Sequence, residues 1–195
     1  MSGTRCFVAI ELTDDVRERL REARSALLEQ APAWRGEKWV GEHNLHITLK
    51  FLGSLDEDQL AEVRSAVGHA LAGTISFQMR LAGLRAVPRP RRCSMVWAQF
   101  ADTESACADL AATVERAVLT CGIAAEERPF TPHVTLARAR RPRRLPDEAL
   151  TSADAVITTL PISMSVLSAT LFGSTLTRTG PVYEAIYSWA FSAAG

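Results

Sequence analysis

Two stretches of this chain carry residue types that could move protons at a phosphate. One is His46-Ile47-Thr48-Leu49 and the other His133-Val134-Thr135-Leu136, one copy in each half of the 195 residues. Each is rich in β-branched residues and alternates polar with apolar, the pattern of a β-strand. Side chains two apart on a strand share a face, so His46 and Thr48 point one way, and so do His133 and Thr135. An imidazole beside a hydroxyl is a small oxyanion site. Two such sites facing each other would bring two imidazoles to one substrate. That is what acid–base phosphoryl transfer requires: one His takes a proton from the nucleophile and the other gives one to the leaving group.

A single His-x-Thr on a strand is more often structural than functional. Here two of only four His fall in matched tetrapeptides, which points to an internal duplication, although the remainder of the halves shows little similarity. His43 belongs to the loop before the first motif and His69 to the polar side of a helix, so neither is assigned a role. The fifth residue after each motif His differs, being Phe51 in the first half and Arg138 in the second. If the halves are symmetric, these are equivalent positions on opposite walls of one cleft. The Arg would neutralise a phosphate and the aromatic ring would stack on a base. The alternative for Phe51 is core packing.

Other chemistries lack their signatures. No GxGxxG follows a strand, and there is no GxxxxGK[ST] and no GxSxG. His43 and His46 are three apart, but no further Cys or His completes a zinc set, so no metal is expected.

The elements that must position the motifs follow from periodicity. Arg5 to Glu11 reads as a buried strand. Thr13 is the expected N-cap of a helix with Val16, Leu20, Ala23 and Leu27 inward, stopped by Pro32. Lys38 to Val40 could form a short strand. The first motif strand runs from Leu45 to Leu52 and closes at Gly53. Ser54 with Glu57 fits a capping box for the next helix, which ends at Gly73. Strands follow at Ile75 to Leu84 and Cys93 to Phe100, then a helix capped by Asp102 that ends at Gly122. The second motif strand covers His133 to Ala139. A basic loop from Arg140 to Pro146, a short helix to Ala153, and strands at Ile162 to Leu171 and Val182 to Phe191 complete the chain, the last two joined through Gly173 to Pro181. Several strands connect directly, so the expected class is α+β with mainly antiparallel sheets.

Composition bounds the rest. The hydrophobic fraction is 47% and the charged fraction 23%, as in an ordinary globular protein. No apolar run approaches the roughly 20 residues of a membrane span, and the N-terminal residues carry no signal-peptide pattern. Cys6, Cys93, Cys107 and Cys121 show no CxxC spacing and read as buried thiols of a cytoplasmic protein. Net charge is zero, which argues against indiscriminate nucleic-acid binding and gives no reason to expect an obligate protein partner. Even so, five Arg and no acid occur from Arg80 to Arg92, and six Arg and no acid from Arg128 to Arg144. Arg suits bidentate phosphate contacts; the alternative is a pair of solvated loops.

With the motifs quoted, the chain resembles the 2H phosphoesterase superfamily. The words RCFVAIEL, NLHITLKFLG, PFTPHVTLAR and LFGSTLTRTGPVYEAI, in that order, are similar to the RNA 2′,3′-cyclic phosphodiesterases, also called 2′-5′ RNA ligases. The resemblance covers nearly the whole chain. It implies one bilobal, pseudo-symmetric domain over residues 1–195, a monomer, with a motif strand from each lobe lining a central cleft. It implies hydrolysis of an RNA 2′,3′-cyclic phosphate end to a 2′-phosphate without metal or other cofactor. His46 matches the His that protonates the departing 3′ oxygen and His133 the one that activates water. Thr48, Thr135 and Arg138 match phosphate-binding residues, and Phe51 an aromatic that stacks on the terminal base. Three readings stay open beside it: 2′-5′ RNA ligation, a phosphodiesterase for small cyclic nucleotides or 2′-5′ oligonucleotides, and a non-catalytic RNA or nucleotide binding module.

Overall fold

The computed structural model describes residues 3–178 and 180–193. Met1, Ser2, Thr179, Ala194 and Gly195 lie outside the described residues, and with them the two ends of the expected domain and one position of the expected Gly173–Pro181 connection, which elsewhere is mostly strand rather than loop.

Strands and helices interleave as β1 (Thr4–Glu11), α1 (Asp14–Gln30), β2 (Lys38–Trp39), β3 (His46–Leu55), α2 (Glu57–Ala70), β4 (Phe77–Val87), β5 (Cys93–Ala101), α3 (Ala106–Leu119), β6 (His133–Arg143), α4 (Asp147–Thr159), β7 (Ser163–Val166), β8 (Ser168–Thr177) and β9 (Gly180–Ala190). They build two sheets, ordered β3-β1-β8-β9 and β2-β6-β5-β4-β7. Every named strand pair is antiparallel. The α+β expectation therefore holds, and each motif begins a strand of a different sheet. The two sheets meet where β3 approaches β6.

The helices cross between the lobes. α1 leaves the first sheet yet packs on α4, which lies on β4 of the second. α3 leaves the second sheet and packs on α2 and β3 of the first. α1 buries Val16, Leu20, Ala23 and Leu27, and each large side chain so buried is worth about 1.5–3 kcal/mol. Arg19 on the same helix donates to the carbonyls of Val156 and Leu160, at 2.9 and 3.1 Å, at the C-terminal end of α4, where a cation also complements the helix dipole.

Several local expectations are corrected. Ser54 does not cap α2: the β1–β3 ladder runs on through Arg5↔Ser54 to Thr4↔Leu55. Asp56 is the first residue free of that ladder, and it forms the capping box with Gln59. Thr13 occupies the N-cap of α1, but its hydroxyl is buried without a hydrogen-bond partner among the described residues. Asp102 does serve α3, accepting from the N–H groups of Cys107 and Ala108 at 3.0 and 2.8 Å. The expected strand Ile162 to Leu171 is two strands, because the chain changes sheets at Leu167: β7 pairs with β4 and β8 with β1. α4 continues past Ala153 to Thr159 because Ile157 is also buried. The basic loop after the second motif is largely strand. Its ladder to β5 jumps from Met95↔Arg138 to Cys93↔Arg143, so residues 139–142 arch out of the sheet. Glu37 holds the arch, accepting from the Arg140 N–H and the Arg143 guanidinium, each at 2.8 Å. Cys6, Cys93 and Cys107 are buried as expected, whereas Cys121, past the end of α3, is only half-buried.

Candidate active site

Each motif His is held in the same way by its own chain. His46 Nδ1 lies 2.8 Å from the carbonyl of Asn44, and His133 Nδ1 lies 2.8 Å from the carbonyl of Thr131. A carbonyl only accepts, so Nδ1 carries the proton in both rings. That leaves Nε2 free to take a proton when the ring is neutral and to give one when it is charged. An aromatic ring from the neighbouring strand supports each imidazole. Phe7 of β1 stacks on His46 with centroids 4.7 Å apart, and Trp97 of β5 stacks on His133 at 3.8 Å. Tyr183 of β9 meets His46 edge-on at 5.4 Å.

The next residues reach the same space through a device that period-2 reasoning does not contain. On a flat strand the fifth residue after a His faces away from it. In β3, Thr48 pairs with Ala9 and Lys50 with Val8, so Leu49 is an extra residue. In β6, Thr135 pairs with Trp97 and Ala137 with Val96, so Leu136 is extra. These matched β-bulges reverse the facing of the residues that follow, in β3 as far as a second extra residue at Leu52 and in β6 as far as the arch at 139–142. Both extra Leu side chains are buried, and Phe51 and Arg138 return to the side of the His and Thr. Phe51 is 62% exposed, which rules out core packing for it.

The result is one cavity of about 370 Å³ that brings together His46, Thr48, Phe51, His133, Thr135 and Arg138. All six residues selected from sequence line it. The hydroxyls of Thr48 and Thr135 have no hydrogen-bond partner among the described residues. Arg138 has no carboxylate partner there either; its guanidinium contacts the Met95 sulfur at 2.9 Å. None of its described lining residues is acidic. Such a cavity suits an anion, with two imidazoles able to exchange protons at its bridging oxygens.

Neither motif His keeps the ordinary His pKa of 6.5. Burial pushes His46 below that value, opposed by its bond to the Asn44 carbonyl and aided by the positive charges of Arg17 and His133. Burial likewise pushes His133 down, opposed by the Thr131 carbonyl and aided by Arg138. Arg17 also donates to the carbonyls of Glu42 and Leu45, at 2.6 and 3.2 Å, and so fixes the turn that carries Asn44. His43 sits in that turn, and His69 lies exposed on α2 with Nδ1 2.8 Å from the Ser65 carbonyl; neither lines the cavity. No cluster of three or more His, Cys, Asp or Glu forms among the described residues.

Sequence reasoning did not single out Phe7, Trp97, Tyr183 or Asn44. Only Phe7 left a usable trace, as a ring on the outward phase of a strand otherwise reading as core. The others depend on pairings between distant segments.

The family model described as the 2′-5′ RNA ligase superfamily matches residues 12–172, a span that contains both motifs. The chain belongs to this superfamily. Similar to it is a protein of Aeropyrum pernix named RNA 2′,3′-cyclic phosphodiesterase, 35% identical over 161 residues, which cover 81% of this chain and 88% of the relative. A protein of the same name from Thermotoga maritima is 27% identical over 96% of this chain and 95% of its own. Among solved structures, TT0787 of Thermus thermophilus superposes with a TM-score of 0.74 at 29% identity, covering 96% of this chain and 97% of that one. The two-sheet α+β architecture is thus a 2′-5′ RNA ligase superfamily fold, and the paired motifs lie where its two sheets meet.

Proposed function

We propose that this member of the superfamily hydrolyses RNA 2′,3′-cyclic phosphate ends to 2′-phosphates, without a metal or other cofactor. The observation that carries the reading is the pair of Nδ1-anchored imidazoles, each with a free Thr hydroxyl beside it, in one acid-free cavity. The names of the relatives support the choice of substrate. Water attacks phosphorus opposite the 3′ oxygen and gives its proton to His133 Nε2. The P–O3′ bond breaks, and the 3′ oxygen takes a proton from His46 Nε2. Thr48, Thr135 and Arg138 hold the non-bridging oxygens, where charge must be stabilised in the transition state. Phe51 stacks on the terminal base.

On this reading the chain works as a single bilobal domain, monomeric and cytoplasmic, with RNA ends as its partner. No helix among the described residues is long and apolar enough to cross a membrane. The test is incubation with a short RNA bearing a 2′,3′-cyclic phosphate, with EDTA present, followed by mapping of the product end. A 2′-phosphate product is expected. His46→Ala and His133→Ala should each lower kcat by about 10²–10⁴-fold with unchanged circular dichroism. A requirement for divalent metal, or full activity in either variant, would sink the two-histidine reading.

A further inference from the structure

The cavity does not end at the two histidines. It continues along the first sheet past Phe51 to Arg5, on β1, and Ser174, on β8. Arg5 pairs across the sheet with Ser54 of β3 on one side and Ser174 of β8 on the other. Paired residues in an antiparallel sheet share a face, so a guanidinium is flanked by two hydroxyls in one row. Arg5 is exposed, and its side chain has no carboxylate or hydrogen-bond partner among the described residues. A lone Arg on a surface would mean little. This one lies inside a cavity that also holds Arg138, which has no carboxylate partner among the described residues, and two His, with no acid among its described lining residues.

The rows have an order. Thr48 stands opposite Ala9, Phe51 opposite Phe7, and Ser54 opposite Arg5. Along β1, Arg5 is therefore four residues, roughly 13 Å, from the row of the phosphate-binding Thr, with the aromatic row midway. Anion site, aromatic ring, anion site is also the order of terminal phosphate, nucleoside and next phosphate at the 3′ end of an RNA.

From this juxtaposition we infer that Arg5, with Ser174, forms a second phosphate subsite for the internucleotide phosphate on the 5′ side of the terminal nucleoside. The enzyme then selects an oligonucleotide end over a cyclic mononucleotide. This rests on the cyclic phosphodiesterase reading above and adds to it the residues that tell an RNA end from a mononucleotide.

The experiment compares adenosine 2′,3′-cyclic phosphate with the dinucleotide that carries the same cyclic end, in wild type, Arg5→Ala, Arg5→Lys and Arg141→Ala. Arg141 lies in the exposed arch outside the cavity. Wild type should favour the dinucleotide in kcat/KM by roughly 10-fold or more, as one charged phosphate contact warrants. Arg5→Ala should collapse that ratio towards one, chiefly through KM, and Arg5→Lys should restore part of it. Arg141→Ala should keep it. The slope of log kcat/KM for the dinucleotide against log salt should flatten by about 0.7 in Arg5→Ala, the loss of one single-strand phosphate contact. The same ratio is also read as Kd for the two 2′-phosphorylated products, which needs no turnover. Turnover of both substrates with a ratio that Arg5→Ala leaves intact overturns the subsite while the cyclic phosphodiesterase reading stands. Absence of turnover sinks that reading, and the product affinities then decide the subsite alone, with equal affinities overturning it.

Discussion

A histidine that takes a proton must be neutral, and one that gives a proton must be charged. Both His46 and His133 are pushed towards the neutral form, chiefly by burial in the cleft. The arriving phosphate reverses this: an anion beside two imidazoles favours their charged forms and raises both pKa values. Two consequences follow for the pH profile. The kcat/KM profile reports free enzyme, so its optimum should lie on the acid side of 6.5, the ordinary His value. The kcat profile reports the bound state, so its optimum should lie at higher pH. Coincident optima at or above neutrality would mean that burial does not set these pKa values. Stability carries the same sign. Because the folded pKa values are lowered, the contribution of these two His is whole above the unfolded value and is lost as pH falls through the folded values. Urea midpoints should therefore drop more steeply as pH falls below 6.5, the ordinary His value, in wild type than in a variant with both His replaced by Gln.

At the scale of elements, the bulges decide which side chains reach the cleft, and they also place a charge in the core. With Leu49 inserted as an extra residue, Lys50 turns inward, and only 4% of it is exposed. Its ammonium is met by Glu115 of α3 at 2.8 Å and by the Ala124 carbonyl at 2.7 Å. Glu115 also accepts from the Glu126 N–H at 2.8 Å, so this one pair fastens α3 and its following loop to the first motif strand. Removing one partner of a buried pair leaves the other charge without compensation, which costs about 3–5 kcal/mol. Glu115→Ala should lose roughly that much in urea unfolding, while Lys50→Met, which removes the buried charge itself, should lose less. Equal small losses would show that the pair is hydrated in solution. Neither the bulges nor this pair were legible beforehand. Alternation placed His46 with Thr48 and His133 with Thr135 correctly, because those residues precede each bulge. Phe51 and Arg138 were found through the symmetry of the repeat, and strict alternation would have turned them away. The Ser54 cap failed for a related reason: the ladder that keeps it in β3 depends on β1, some fifty residues earlier. Local signals located nearly every element, and errors gathered where a partner strand extended one or split it.

For the whole molecule, the question is why two lobes joined along β3 and β6 hold their histidines in register. Sheet contact alone is slight there, and the helices supply the rest. The α1–α4 and α2–α3 pairs each join a helix that follows a strand of one sheet to a helix on the other lobe. Arg19 adds two bonds to the end of α4, and the Trp34 indole donates to the Arg144 carbonyl at 3.0 Å, beyond the end of the second motif strand. The buried apolar residues of both lobes, apart from Phe7 and Ala9 of β1, form one contiguous cluster. Neither sheet can shed its helices without stripping the other, so the lobes should open together. Native-state hydrogen exchange measures this directly, since the slowest amides of a cooperative unit share one opening free energy. The slowest amides of β1, central in the first sheet, and of β5, central in the second, should report the same value and the same dependence on denaturant. Val16→Ala or Leu20→Ala, on the buried face of α1, should lower both by the same amount, about 2–5 kcal/mol for the Leu change. A loss confined to one sheet would mean that the lobes fold independently, and the cleft would then owe its geometry to the strand contact alone.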